Sequence, residues 1–359
     1  MDAVPASYLE AHRYDGAAIE HGQRERLAYC ALQPRDLAIV RDVWRYKFLT
    51  APQLRELWWP TASVQAADRR LLKLFRAGHL DRFRPYARRG TGSYPWTYRL
   101  GEEGHRLLQH AGEIHDQQRY KHRPIVDYSR VVHDIQLNAW VLAYRRMLGT
   151  GLLAWDGETT IDSPTGLRRE NERFDDDWSP EGLHDERPRS VCPDAVLEIA
   201  GDTPGAASRL IFVEYDRTRR LDKNYDKFHR YDAFLTWWWH HTPLGNRETP
   251  PFVLFVCQDD EQRDLFLDAA DRQLLGHRWH PDVSPERYEY LGRQRILFAT
   301  EMHAHAGALE ARRVPAFPRG HTSRRAGARG VRIAVAKHDR PELVQPARGD
   351  AASSEREAA

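Results

Sequence analysis

Three carboxylates and two lysines in the middle of the chain have the types and spacing to do chemistry together. In the run RLIFVEYDRTRR, strand alternation puts Phe212, Glu214 and Asp216 on one face and Ile211, Val213 and Tyr215 on the other. Asp194, in VCPDAVLEIA, is expected at the start of a neighbouring strand. Carboxylates gathered on adjacent strands suit a hard cation, because Mg²⁺ takes oxygen ligands and keeps several waters and a phosphate. Lys223 and Lys227, two of only six lysines in the chain, lie four apart on a helix expected over 221–235, with Tyr231 another four on. These positions share one helix face, which can point back at the carboxylates. Plainer readings stay open. The lysines can be solvated partners of Asp222 or Asp226, worth a few tenths of a kcal/mol, about 0.2–0.5. The carboxylates can be a metal site, a degenerate one, or a charge network with Arg217 and Arg219. His133 and Asp134, on a helix ahead of the first strand, are placed to reach the same cleft, although a lone His on a helix is more often structural.

The elements needed to hold this cluster are legible around it. A strongly apolar helix (131–147) precedes a strand (152–155), the two carboxylate-bearing strands and the crossover helix. PFVLFVC, a helix over 261–275 and RILFAT complete an α/β unit with a mixed central sheet. The polar stretch 162–190 reads as a surface loop. The run Trp237-Trp238-Trp239 stacks bases only if exposed, and as a helix end reads as core or interface.

Ahead of this unit, RDLAIVRDVWRYKFLT spaces Leu37, Val40, Val43 and Trp44 as an amphipathic helix. Thr50 is placed to cap a second helix, with Pro52 in its first turn and Leu54 and Leu57 inward. A third helix, about 63–77, separates a buried stripe (Val64, Ala67, Leu71, Leu74, Phe75) from a ridge of Gln65, Arg69, Lys73 and Arg76. AGHLDRFRP, the Gly-rich RRGTGS and YPWTYRL then read as a hairpin whose tip carries Arg88 and Arg89. Three helices, the third basic, followed by an Arg-tipped hairpin resemble the winged helix-turn-helix of bacterial DNA-binding proteins. Such a helix fits a major groove about 12 Å wide. Arg69 and Lys73 are the expected groove readers, Gln65 a candidate for an adenine edge, and Arg76, Arg84, Arg88 and Arg89 phosphate contacts. The competing reading is a solvated basic face or a protein-interaction module.

Charge follows the same division. The net charge of +2 combines +9 over residues 20–130 and +4 over 301–359 with −2 over 1–19 and −9 over 131–300. The basic front points to phosphate. Cys30, Cys192 and Cys257 are odd in number and lack a CxxC pair, against a disulfide framework or structural zinc. No apolar run reaches the ~18 residues of a membrane span and no signal peptide opens the chain, so a cytoplasmic protein without membrane contact is expected.

Pro193-Asp194 followed by Glu214-x-Asp216 resembles the PD-(D/E)xK nuclease family, in which the acidic residues bind Mg²⁺ and a Lys two positions on helps activate water. Here that position is Asp216, and some members of the fold supply the Lys from the next helix. The combination of winged helix, PDAVL, FVEYDRTR and the following K...KF..Y helix resembles the replication-relaxation family of bacterial plasmids and integrative elements, over about residues 35–300. The resemblance implies a duplex-DNA-binding replication protein that contacts other replication or transfer proteins. Its nuclease-like domain has an activity the sequence leaves open. The alternative is a Mg²⁺-dependent nicking endonuclease using Asp194, Glu214, Asp216 and a relocated Lys227 or Lys223. The expected organisation is an irregular N-terminus (1–30), a winged helix (31–110), a linker (111–126), a PD-(D/E)xK-like domain (127–305) and a disordered basic tail (306–359).

Overall fold

The computed structural model describes residues 19–24, 26–85, 94–122, 124–125, 128–157, 191–201, 203, 205–216, 221–274, 290–301, 310–316 and 329–332. The 162–190 stretch therefore lies outside the described residues. The chain is an α/β protein whose described residues form two sheets.

The front sheet is antiparallel in the order β1 (Ile19–His21), β3 (Leu80–Pro85), β4 (Thr97–Leu100), β2 (Leu49–Thr50). Three helices pack with it: α1 (Pro34–Arg45), α2 (Ala51–Trp58) and α3 (Val64–Arg76), with α4 (Glu102–His110) after the hairpin. Local chemistry sets their starts. Asp36 in the first turn of α1 accepts the Gln33 N–H at 2.6 Å. Thr50 and Gln53 cap α2 reciprocally, and the Ser63 hydroxyl caps α3. Gly78, at φ +80°, turns the chain from α3 into β3.

One expectation changes here. Within the N-terminus expected to be irregular, residues 19–21 pair with β3, the Gly22 N–H donates to the Arg82 carbonyl at 2.9 Å, and Arg24 donates to the Phe75 carbonyl at 2.6 Å. A three-residue strand is too short to announce itself by periodicity.

The second sheet has the order β11-β10-β9-β8-β7-β6-β5: β5 (Leu152–Gly157), β6 (Ala195–Ile199), β7 (Arg209–Asp216), β8 (Phe252–Cys257), β9 (Ile296–Thr300), β10 (Glu310–Arg313) and β11 (Arg329–Arg332). The central β7, β8 and β9 are parallel and the flanking pairs antiparallel. Parallel neighbours need crossovers, supplied by α6 (Leu221–Ala233) and by α7 (Asp260–Gln273) with α8 (Leu291–Arg295). Alternation along the parallel strands feeds two cores. Phe212, Val253, Phe255 and Phe298 meet α6 and α7, while Ile211, Val213, Leu254 and Leu297 meet the other side.

That other side is covered by α5 (Tyr128–Leu148) together with the front unit. Val40, Leu54 and Leu71 from the front helices, Trp140 and Val141 from α5, and Leu197 and Val213 from the sheet belong to one hydrophobic core. The Tyr46 and Trp155 rings meet with centroids 4.1 Å apart. Residues 111–122 also pack on the front unit: Ile114 is buried in this core and Glu113 pairs with Arg41 at 2.5 Å. The two units expected from sequence thus meet across a continuous apolar interior.

The tail expectation is corrected at its start. Residues 310–313 and 329–332 add two strands to the sheet, and Val314 is buried. Arg293, fully buried, holds this segment by donating to the Pro315 carbonyl at 2.7 Å, and it also donates to the Asp271 and Leu274 carbonyls and pairs with the Asp271 carboxylate. Arg293→Met leaves that carboxylate buried without its cation and should cost about 3–5 kcal/mol in urea unfolding. A loss below about 1 kcal/mol, the level of an exposed ion pair, would show that the buried pair is not what anchors the segment.

Candidate functional site

The antiparallel register of β6 with β7 pairs Ala195 with Val213, which sets Asp194 level with Glu214 on the neighbouring strand. Glu214 is 3% exposed. A carboxylate so deep needs donors, and α6 supplies two from positions four apart: Lys227 Nζ to Oε2 at 2.5 Å and the Tyr231 hydroxyl to Oε1 at 2.5 Å. Asp194 Oδ2 accepts the Tyr215 N–H at 2.8 Å and lies 3.8 Å from His133 Nε2. His133 Nε2 donates to the Tyr215 carbonyl at 2.8 Å, and its Nδ1 lies 3.4 Å from Asp134 Oδ1. Both ring nitrogens therefore face acceptors, as in an imidazolium.

The electrostatics follow from this placement. Burial, then the Asp194 charge, push Glu214 up to about 7 against the pull of Lys227. Burial raises Asp194, opposed by the His133 and Lys227 charges. Burial works against the Lys227 ammonium, but the Glu214 and Asp194 carboxylates outweigh it and raise its pKa. His133 is likewise disfavoured by burial, yet its bond to Asp134 and the Asp194 charge lift it to about 9.

The structure thus brings together Asp194, Glu214 and Lys227 of the expected set. Asp216 lies two residues on along the same face. Its carbonyl accepts from Gln262 on α7 at 3.2 Å, and its charge acts on Lys227. Lys223 is one turn earlier on α6, but its side chain lies outside the described residues, as do Arg217 and Arg219. Among the described residues no group of three or more His, Cys, Asp and Glu side chains is placed to hold a metal ion. The strand register brings two carboxylates, Asp194 and Glu214, level with each other. Trp239 is buried, its ring tilted against that of His240 with centroids 3.9 Å apart, while the Trp237 and Trp238 side chains lie outside the described residues.

On the front unit, Gln65, Arg69, Lys73 and Arg76 are exposed along α3, opposite the buried Ala67, Leu71, Leu74 and Phe75. Val64 departs from the expected stripe: it is 51% exposed, because it is the first residue of the helix and precedes the turn that meets the core. Arg84 is not a free cation. Glu20 on β1 accepts from its Nε at 2.7 Å and from Nη2 at 3.2 Å, and its guanidinium lies 4.3 Å from the Trp96 ring centroid. Arg88 and Arg89 fall outside the described residues.

Sequence reasoning missed Lys47 and the Tyr215 peptide. Lys47 sits in the α1–β2 turn at φ +62°, a conformation costing a side-chain-bearing residue about 1–2 kcal/mol. Its ammonium reaches Asp134 Oδ2 on α5 at 2.9 Å. Nothing local marks it, since the partner is distant in sequence.

The replication-relaxation family model matches residues 40–245, a span holding α3, α5 and every member of the Asp194–Glu214 cluster. The chain belongs to the replication-relaxation family. That membership supports a replication-related function. No curated protein and no solved structure matches the chain. Among the described residues, no helix of this family member is long and apolar enough to cross a membrane.

The raised values have a pH signature of definite sign. Glu214, lifted from 4.5 to about 7, and His133, lifted from 6.5 to about 9, both favour the protonated folded state. Their stabilisation is complete below the ordinary values and is lost as pH rises through the folded ones. The thermal midpoint should therefore decline as pH rises from 6.5 to 9, and His133→Gln should flatten that decline. An identical decline in the variant would show that His133 is not the titrating group.

Proposed function

We propose that this chain binds duplex DNA through its front unit as a winged helix, and that the Asp194–Glu214–Lys227 cluster is a nuclease-like centre of PD-(D/E)xK type, in the replication of a plasmid or mobile element. The observation that carries the DNA reading is α3, whose buried apolar stripe fixes the helix while Gln65, Arg69, Lys73 and Arg76 stand exposed on the opposite face. Long donors on a rigid helix suit base edges and phosphates, and the +9 charge of residues 20–130 favours the approach of a polyanion. Other replication or transfer proteins are the expected further partners, in the cytoplasm.

A second reading, Mg²⁺-dependent nicking, is favoured by one contact: Lys227 on Glu214 supplies from α6 the ammonium that Asp216 displaces from its usual place. Two level carboxylates fit Mg²⁺, which commonly takes one or two of them and completes its shell with waters and phosphate oxygens. Although both Glu214 oxygens accept a hydrogen bond, each carboxylate oxygen has a second lone pair. Asp194 and Glu214 would hold the ion, which when bound polarises a phosphodiester and acidifies a water. Tyr231 fixes the Glu214 carboxylate, and His133 with the Tyr215 N–H fixes Asp194. Lys227, its pKa raised, stays an ammonium at neutral pH. It therefore offers charge to a phosphate and does not accept a proton.

Arg69→Ala should cost about 1–3 kcal/mol of binding and relax base preference at one position, while Arg76→Ala should weaken all sequences alike and lower the salt slope by about 1. Unchanged affinity in both variants would remove α3 from the interface. For the cleft, the supercoiled replicon with Mg²⁺ should be nicked by the natural chain and left intact by Asp194→Ala and by Glu214→Ala, with duplex affinity retained. Nicking that survives both substitutions, or no nicking by the natural chain, would overturn the nuclease reading.

A further inference from the structure

We propose that Lys47 is a positioning residue for the carboxylate pair, acting from the front unit through Asp134 and His133 on Asp194. The proposal draws its purpose from the reading above, in which the front unit holds duplex and the Asp194–Glu214 cleft meets it.

The turn that carries Lys47 is received by one face of α5. Asn138 Nδ2 donates to the Tyr46 carbonyl at 2.9 Å and to the Phe48 carbonyl at 2.6 Å, gripping the backbone on either side of Lys47. Asp134, one helical turn earlier on the same face, takes the ammonium at 2.9 Å. Gln53, at the start of α2, donates to the Ile135 carbonyl at 3.0 Å. Left-handed backbone at residue 47 is thus imposed by buried partners, and it aims the side chain at Asp134.

Asp134 then faces two ways. Its Oδ2 meets Lys47 and its Oδ1 lies 3.4 Å from His133 Nδ1. The far side of that imidazole donates to the Tyr215 carbonyl at 2.8 Å and stands 3.8 Å from Asp194 Oδ2. The Tyr215 N–H closes the loop on the same Asp194 oxygen at 2.8 Å. A continuous run of charged groups therefore joins the α1–β2 turn to the peptide between Glu214 and Asp216. A role in stability alone accounts poorly for Lys47. A partly exposed ion pair is weak, and glycine would hold the same backbone without strain.

The test compares the full chain with Lys47→Gly, which keeps the left-handed turn and removes the ammonium, and with Lys47→Arg, which restores a cation. The readout is the His133 imidazole resonances in histidine-labelled protein, assigned by their loss in His133→Gln. Lys47→Gly should keep its thermal midpoint and bind duplex within about twofold of the natural chain, while its His133 resonances move. Asp134→Asn should move the same resonances, and Lys47→Arg should return them. Adding duplex should shift these resonances in the natural chain and leave them in place in Lys47→Gly. His133 resonances that coincide in Lys47→Gly and the natural chain would overturn the proposal. Failure of the natural chain to bind duplex would overturn the DNA reading instead, and the comparison of the free proteins would still decide whether Lys47 acts on His133.

Discussion

Burial of the Glu214 carboxylate constrains the rest of the cluster. An ionised group this deep in a sheet is tolerated only with donors on both oxygens, and both come from one helix face. The crossover between β7 and β8 must therefore deliver α6 in the rotation that brings Lys227 and Tyr231 together over the strand. The demand extends to Asp194. Level with Glu214 and partly buried, it would repel its neighbour without the His133 imidazole and the Tyr215 amide. The result is a cluster in which acidic and basic groups hold each other in place.

Helix α5 makes that cluster part of a larger body. Its middle is apolar and fills the space between front unit and sheet, with Trp140 and Val141 in the common core. Its first turns carry the polar side chains that touch both neighbours. Tyr128 shares a hydroxyl hydrogen bond with Thr97 at 3.1 Å, Asn138 grips the turn at Lys47, and His133 reaches β7. Buried hydrogen bonds of this kind fix a register that apolar packing alone leaves adjustable. The front unit and the Asp194–Glu214 cluster are thereby held in a defined relation, although each was legible as a separate pattern.

How much was legible depended on the range of the interaction. The helices of the front unit and the shared strand face of Phe212 and Glu214 follow from local periodicity and capping, and the structure reproduces them. The spacing of Lys227 and Tyr231 placed them on one face, and the fold turned that face onto Glu214. Short strands escaped, because three or four residues show no period: β1 inside the expected irregular N-terminus, and β10 and β11 inside the expected tail.

The sequence by itself determined the α/β class, the apolar stripe and basic ridge of α3, and the carboxylates that share a strand face, because each depends on the chain's own 3.6- or 2-residue repeat. Only the tertiary structure decided that Arg84 is held by Glu20, that Lys47 answers to Asp134, and that Asp194 stands level with Glu214. Those pairings join residues far apart in the chain. Their free energy comes from burial and from charges meeting across elements, and no local repeat encodes which elements meet.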